Sequence, residues 1–108
     1  MTDYDSTQDT QQHIAHVADR LHRLANLLRY RADAHDASKL LPPEKEAYDR
    51  LTPRLAGLTY GSEEYRATLR EMKPAIAHHY AHNSHHPEHF EDGIAGMNLL
   101  DLVEMLCD

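Results

Sequence analysis

Residues 77–90 carry the densest set of chemically active side chains in the sequence, with six histidines in fourteen positions. Neutral imidazole nitrogen and carboxylate oxygen are the ligands that borderline and hard divalent ions prefer in proteins. Two other places offer such ligands: the dipeptide His35-Asp36 lies upstream, and Asp101 lies in an apolar run further along the chain. The sequence therefore predicts that distant segments fold back around one or two metal ions.

Helical periodicity indicates which histidines can reach an interior site. Apolar side chains recur at helical spacing from residue 11 to about residue 34, and at about 100° per residue His13 lies at the edge of that stripe. On a later helix His79 flanks the apolar stripe, whereas His78 points away from it and His82 lies between. The predicted metal ligands are His13, His35, Asp36, His79, His85, His86 and Asp101.

Length and composition indicate one helical domain. The chain has 108 residues, of which 41% are hydrophobic and 27% charged, so it can build a core and is not a disordered chain. Glycine is scarce, and residues that favour helix dominate. We expect residues 1–10 to be frayed and residues 11–108 to form a compact, all-α, single-domain bundle.

Charge and cysteine content narrow the partners and the compartment. A net charge of −7 argues against nucleic-acid binding, which needs a basic surface to displace counterions. Cys107 is the single cysteine, so no intramolecular disulfide forms and a cytoplasmic location is expected, in the host cytoplasm if the protein is phage-encoded. No apolar run approaches the ~20 residues that span a bilayer, so no membrane association is expected. The oligomeric state is open, and a homodimer is one alternative.

Prolines and capping residues divide the chain after residue 34. Pro42-Pro43 ends any earlier helix, and a new helix is predicted from residue 44 to about residue 51. Ser62 is the predicted N-cap of a helix over residues 63 to about 82, which Pro74 should kink or split.

The C-terminal segment reads as a buried helix. Asn98 can cap a helix that starts at Leu99 and is apolar on most sides, so we expect a central core element. No C-cap signal follows before Asp108, so this helix is expected to be cut short.

Each predicted ligand has an ordinary alternative role. His35-Asp36 could be a capping or surface pair, and Lys39 could be a surface lysine. Asp101 lies three residues after Asn98 and could complete a capping arrangement in the first helical turn. The histidine-rich segment could be a solvated tract that binds metal adventitiously, and this interpretation is favoured for His78 and His89.

The order of the whole set resembles the HD-domain metal-dependent phosphohydrolase superfamily. That family is all-helical, with ligands in the order His, His-Asp, Asp, and a variant adds a His and a His-His pair before the final Asp, as in HD-GYP phosphodiesterases. The segment His-Asp-Ala-Ser-Lys-Leu matches the variant's His-Asp-x-x-Lys, and His85-His86-Pro-Glu is similar to its His-His-Glu. No Gly-Tyr-Pro segment follows His86, so the resemblance does not extend to cyclic dinucleotides as substrates.

Residues 13–108 also resemble a family of short phage and bacterial proteins to which no activity is attached. The shared motifs are His-Asp-x-Ser-Lys-Leu, Tyr-Gly-Ser-x-Glu-Tyr, His-His-Pro-Glu-His-Phe and Met-Asn-Leu-x-Asp-Leu-Val-Glu-Met. This second resemblance names a group and implies no reaction.

The HD resemblance implies hydrolysis of a nucleotide or other small phosphoester through a metal-activated water. Asp36 and Lys39 would be catalytic. His13, His35, Asp36 and Asp101 would hold a first ion, and His79, His85 and His86 a second ion, with Asp36 bridging. Fe, Mn, Zn, Co, Ni and Mg are not distinguished by such ligands.

Two other functions remain open. The first is a metal-bound, non-catalytic interaction module, for example a phage factor that captures a host protein or a nucleotide. The second is a helical domain without metal, in which His35 and Asp36 bond to backbone groups and His85 and His86 lie in solvent.

Overall fold

The computed structural model describes residues 3–108, which form helices and no strand. The α-helices are α1 (Thr7–Ala34), α2 (Glu44–Ala56), α3 (Glu63–His82) and α4 (Leu99–Cys107), with 3₁₀ helices at Ala37–Leu40, Pro87–His89 and Gly93–Gly96. The predicted all-α class is confirmed. None of the helices described for residues 3–108 has both the length and the apolar character that crossing a bilayer requires.

The chain divides into two units, Met1–Asp33 and Ala34–Asp108, where the sequence predicted one compact domain over residues 11–108. The first unit consists mainly of α1, and none of the helix's residues is buried. Ile14 and Leu21 of its apolar stripe are 60% and 61% exposed. The stripe is therefore not core, because a single helix offers no second surface within its own unit.

α1 begins four residues earlier than the apolar pattern predicted. The side chain of Asp5 accepts hydrogen bonds from the backbone N–H and the hydroxyl of Thr7, at 2.9 and 2.6 Å. Such an acceptor satisfies a backbone donor that the helix leaves free at its start. Residues 3–6 precede the helix, and residues 1 and 2 of the predicted frayed segment lie outside the described range.

α2 and α3 pack on each other and form the core of the second unit. Leu51 of α2 is fully buried, and Met72 and Ala75 of α3 are nearly so. Arg54 donates from Nε to the hydroxyl of Thr68 at 3.2 Å and adds a polar link between the two helices.

Pro53 and Pro74 both lie inside helices that continue past them, so Pro74 does not split its helix, and the predicted kink there stays a prediction. Pro53 lies inside α2, which continues to Ala56, and α3 runs unbroken through Pro74. A proline inside a helix removes one backbone hydrogen bond. Burial of Met72 and Ala75 on either side of Pro74 holds the helix together across that position.

α4 presents its acidic face inward, and the prediction that it is a central core element is wrong for the described residues. Its single buried residue is Asp101, whereas Leu99 and Leu106 are 60% and 81% exposed. Residues three and four apart lie on one face of a helix, so Glu104 and the following Asp108 share the side of Asp101. The apolar side chains of α4 therefore range from half-buried to exposed, and none of them is fully buried.

Candidate metal centre

Asp36 occupies a backbone turn directly after α1. Its φ of 54° lies in the left-handed region, which few residues other than glycine adopt but which aspartate tolerates. The backbone N–H of Lys39 donates to the carbonyl of Asp36 at 2.9 Å and closes the turn into the 3₁₀ helix Ala37–Leu40. This turn sets His35, Asp36 and Lys39 side by side.

The end of α3 supplies the histidines. Asn83 ends the helix, and its side-chain amide donates to the carbonyl of His79 at 2.8 Å. The backbone N–H of His86 then donates to the carbonyl of Asn83 at 3.3 Å, which folds the chain back after the helix. His79 and His85 are 4% and 1% exposed, so both imidazoles are buried beside the turn.

Three imidazoles converge on one carboxylate. Asp36 Oδ1 lies 3.2 Å from Nε2 of His79 and 3.3 Å from Nε2 of His85. Nε2 of His86 lies 3.0 Å from Nε2 of His79. One ligand atom from each of these four residues lies within 4.8 Å of every other. We call Asp36, His79, His85 and His86 the four-ligand cluster.

The spacing of the four-ligand cluster fits a divalent ion. Ligand bonds of roughly 2.0–2.2 Å place neighbouring donor atoms about 3.0 Å apart in an octahedral site and about 3.4 Å apart in a tetrahedral one. The separations of 3.0, 3.2 and 3.3 Å fall in that range. They do not distinguish the two geometries, so they select no particular metal.

Two buried atoms at the centre of the cluster are left without a hydrogen bond. Among residues 3–108, Asp36 Oδ1 and His85 Nε2 are the buried side-chain atoms for which no hydrogen-bond partner is found. A buried polar atom without a partner is costly, and such atoms in a folded protein call for an explanation. Coordination to a cation would satisfy both atoms at once, so the residues fit a metal ion.

Two glutamates contact the other nitrogen of these imidazoles. Glu44, the fully buried first residue of α2, lies with Oε1 2.7 Å from Nδ1 of His79. Glu104 of α4 lies with Oε2 2.9 Å from Nδ1 of His85 and 2.7 Å from Nδ1 of His35. The carboxylates therefore approach the imidazoles from the side opposite to Asp36.

Neither glutamate is among the predicted ligands. Glu44 lies among the acidic residues typical of the first turn of a helix, and Glu104 has no predicted role. The spacing of Asp101, Glu104 and Asp108 was the available signal, because it puts three carboxylates on one helix face. No sequence signal singles out the burial of Glu44, because its neighbour Glu46 has the same helical context and is exposed.

A second group of candidate ligands adjoins the first. One ligand atom each from His35, His85 and Asp108 lie within 4.8 Å of one another. Nε2 of His35 is 3.5 Å from Asp36 Oδ2, which also pairs with Lys39 Nζ at 3.1 Å. Asp36 therefore lies between the two groups, and Lys39 stands beside it with 44% of its side chain exposed.

The surroundings favour the protonation states that ligands need. Burial alone would raise the pKa of the Asp36 carboxyl, but the hydrogen bond and charge of Lys39, with His35 and His79, hold that pKa below its usual range. Burial and the adjacent His85 and His79 lower the pKa of His86, which keeps its imidazole neutral. Neutral imidazole and ionised carboxylate are the forms that bind metal.

The pKa of His35 is shifted in the opposite direction from that of His86. The hydrogen bond to Glu104 raises the pKa of His35 and outweighs its burial, and the charges of Asp36 and Asp108 act in the same direction. An ion at the second group would therefore compete with a more firmly held proton.

Of the predicted ligands, Asp36, His79, His85 and His86 come together, and His35 adjoins them. Asp101 does not belong to either group. Its Oδ2 accepts from the backbone N–H of Asn98 at 3.0 Å, and its Oδ1 accepts from the hydroxyl of Ser84 at 2.6 Å. The capping alternative for Asp101 is confirmed, and its role as a ligand stays a prediction.

His13 is also outside the two groups of candidate ligands, all of which belong to the second unit. It lies on α1 with its side chain exposed. The prediction placed it at the edge of a buried stripe, but that stripe is itself exposed. Its role as a ligand stays a prediction.

The histidines predicted to be solvated behave in two ways. His89 is exposed, and its Nδ1 contacts the carbonyl of Tyr80 at 2.7 Å. His78 is tied to the buried Glu44, with 2.6 Å between Nδ1 and Oε2, and its ring stacks on His82. His78 therefore belongs to the network around the cluster without facing its centre.

Comparison with known proteins gives a family and no activity. Residues 2–108 match the model of a family of unknown function, DUF5662. The chain belongs to this family. Neither a curated protein nor a solved structure matches it. The match covers nearly the whole chain, so both groups of candidate ligands lie within the matched residues.

Proposed function

We propose that this DUF5662 protein is a metal-dependent phosphohydrolase of the HD type, acting on a nucleotide or another small phosphoester. The observation that carries the proposal is the clustering of three imidazoles, those of His79, His85 and His86, with the Asp36 carboxylate, beside Lys39. The order of those residues in the sequence is the order expected for an HD site with added histidines. The helical class of the fold agrees with that expectation.

Asp36, His79, His85 and His86 would hold the first ion. His35 and Asp108, with the second oxygen of Asp36, offer ligands to a second ion, so one or two ions fit the site. A divalent ion in such a site lowers the pKa of bound water and so supplies a nucleophile near neutral pH.

The chain's own residues would bind and orient the substrate. Lys39 Nζ, half-exposed and 3.1 Å from Asp36 Oδ2, is placed to neutralise charge on a phosphate oxygen. Asp36 Oδ2 faces the same side and would orient the attacking water or accept its proton. The partial exposure of Asp36 and Lys39 leaves this side of the cluster open to a small phosphorylated molecule.

The net charge of −7 keeps a nucleic-acid substrate disfavoured, and a cytoplasmic location goes with the same proposal. A cation at the cluster would reverse the local sign for a small anionic substrate.

A non-catalytic metal-binding module is the second candidate, and one observation favours it. Four protein ligands suffice to close a tetrahedral shell, as in structural zinc sites. Apolar side chains of the second unit are exposed nearby in sequence, among them Leu40 and Leu41 at 73% and 61%. A closed coordination shell leaves no position for a substrate at the ion, and an exposed apolar surface beside it would suit a protein partner. An octahedral ion on the same four ligands would keep two positions open and favour the enzyme.

Elemental analysis of protein purified without a His-tag tests the proposal. We expect one or two equivalents of a divalent transition metal in the wild type, less than a tenth of that in Asp36→Ala, and full content in the exposed-site control Asp49→Ala. A phosphoester screen with Mn, Fe, Co, Mg and Zn then separates the two candidates. Turnover that is lost in Asp36→Ala supports the phosphohydrolase. Metal without turnover on any phosphoester supports the binding module, and no metal after reconstitution overturns both.

A further inference from the structure

Two carboxylates lie behind the cluster, on the far side of its imidazoles. Glu44 contacts Nδ1 of His79 at 2.7 Å, and Glu104 contacts Nδ1 of His85 at 2.9 Å. Both glutamates come from helices that contribute no member of the four-ligand cluster. Neither glutamate is needed as a ligand, so their burial beside the imidazoles has another cause.

An ionised carboxylate can only accept hydrogen bonds. A neutral imidazole carries one proton, so an Nδ1 that donates to a carboxylate leaves Nε2 unprotonated, with its lone pair free. In His79 and His85 the Nε2 atom lies 3.2 and 3.3 Å from Asp36 Oδ1. The unprotonated Nε2 is the atom that a metal ion needs as a ligand.

Two groups compete with Glu44 for Nδ1 of His79, and both contacts are longer. Ser38 Oγ lies 3.5 Å from that nitrogen. Asn83 Nδ2 lies 3.3 Å from that nitrogen, but it donates at 2.8 Å to the carbonyl of His79 and at 2.9 Å to the hydroxyl of Ser38. The amide has two protons, and those shorter bonds use both. Glu44 at 2.7 Å therefore determines the protonation of His79.

We infer that Glu44 and Glu104 are positioning residues that fix His79 and His85 in the tautomer with the proton on Nδ1, so that both Nε2 atoms face the metal site before any ion binds. The inference rests on the metal-binding part of the proposed function. A hydrogen-bonded carboxylate also raises the basicity of an imidazole ligand and locks the orientation of its ring.

Glutamine at either position gives a specific test. Its amide offers one acceptor and one donor group in place of two acceptors. In Glu44→Gln, the side chain faces Nδ1 of both His78 and His79 and cannot accept from both. One of the two imidazoles must move its proton to Nε2. In Glu104→Gln the charge behind His85 is lost, while the size of the side chain is kept.

The experiment is nitrogen-15 NMR of imidazoles in the metal-free, full-length protein, followed by titration with cobalt(II). In the wild type we expect His79 and His85 to be protonated at Nδ1 and bare at Nε2. We expect Glu44→Gln to shift either His78 or His79 toward protonated Nε2 without changing His85, and Glu104→Gln to change His85 without changing His79. Each variant should bind cobalt(II) roughly 10- to 100-fold more weakly. Glu46→Gln, two residues along α2 from Glu44 and exposed, should behave as wild type.

The outcomes separate this inference from the proposed function. Protonated Nε2 on His79 or His85 in the wild type overturns the inference, and so does cobalt(II) affinity within twofold of wild type in both variants. Absence of cobalt(II) binding in the wild type overturns the proposed function, whatever the tautomers are. If Glu44→Gln fails to fold because the site is fully buried, Glu104→Gln, at a less buried position, carries the same test.

Discussion

Asp36 Oδ1 and His85 Nε2 face each other at 3.3 Å, and among the described residues both are buried without a hydrogen bond. One atom belongs to the turn after α1 and the other to the loop after α3, 49 residues later in the chain. Folding brings these two atoms close together and leaves both without a hydrogen-bond partner. This arrangement is unfavourable in a metal-free protein and favourable around a cation, because coordination replaces the missing hydrogen bonds.

Metal binding should therefore stabilise the fold. A ligand that binds only the native state at 100 times its dissociation constant adds about 2.7 kcal/mol to the free energy of unfolding. We expect zinc or cobalt(II) to raise the melting temperature of chelator-treated wild-type protein and to leave that of Asp36→Asn unchanged. Calorimetry or circular dichroism with and without metal measures the difference. Equal shifts in both proteins would mean that the ion binds elsewhere.

Asp101 should contribute to the stability of the fold and not to metal binding. Its carboxylate closes the capping box with Asn98 and accepts from Ser84. Losing an N-terminal cap costs about 1 kcal/mol, and leaving a part-buried hydroxyl without its acceptor adds a similar amount. We expect Asp101→Ala to lower the free energy of unfolding by about 2 kcal/mol, with unchanged metal stoichiometry.

Asn98→Ala is the matched control, because it breaks the same capping box without removing a carboxylate. Urea denaturation and elemental analysis are run on both variants. If Asp101→Ala loses the metal while Asn98→Ala keeps it, Asp101 is a ligand, as the resemblance to HD domains implied.

Local signals in the sequence predicted the helices well. Ser62 and Asn98 are the N-caps of α3 and α4, as their residue types and positions indicated. Both bounds of α3 agree with the prediction, because cap and break signals are contained in a few adjacent residues. Pro53 and Pro74 lie within continuous helices, because packing between α2 and α3 outweighs one lost hydrogen bond in each helix, and packing is not readable from local sequence.

Burial was harder to predict than secondary structure. The leucines of α4 suggested a core helix, but Asp101 is the residue of that helix that is buried, and the apolar side chains are half-buried or exposed. The four-ligand cluster was predicted by residue type and order. Glu44 and Glu104 were not, because their role depends on which imidazole nitrogen each one meets.

Lys39 should affect turnover without weakening metal binding. Its Nζ lies beside Asp36 Oδ2, on the partly exposed side of the cluster, and it is not among the candidate ligands. Removing one preorganised group that stabilises transition-state charge typically costs about 100-fold or more in rate. We expect Lys39→Met to keep its metal and to lose about 100-fold in kcat on whichever phosphoester the wild type hydrolyses.

Lys45→Met is the control for Lys39→Met, because Lys45 pairs with the exposed Asp49 on α2. Steady-state kinetics with metal content measured on the same samples makes the comparison. Unchanged kcat in Lys39→Met would assign Lys39 to an ordinary surface ion pair with Asp36.

Glu44 should make the stability of the metal-free protein depend on pH. Burial alone would raise the pKa of the Glu44 carboxyl, but hydrogen bonds with Ser38, His78 and His79 outweigh burial and hold that pKa below 4.5. A carboxyl with a lowered pKa in the folded state stabilises the fold above its unfolded-state pKa. That contribution is lost as the pH falls through the folded-state value.

The comparison of wild type with Glu44→Gln in urea, with a chelator present, measures this contribution. At pH 7 we expect the variant to be less stable by about 1–3 kcal/mol, since buried hydrogen bonds to a charged group are lost. The difference should persist down to about pH 4.5 and shrink as the pH falls further, through the lowered folded-state pKa of Glu44. The exposed Glu46→Gln should show no such trend. A difference that stays constant from pH 7 to pH 3 would mean that the packing of Glu44, and not its charge, stabilises the junction of α2 and α3.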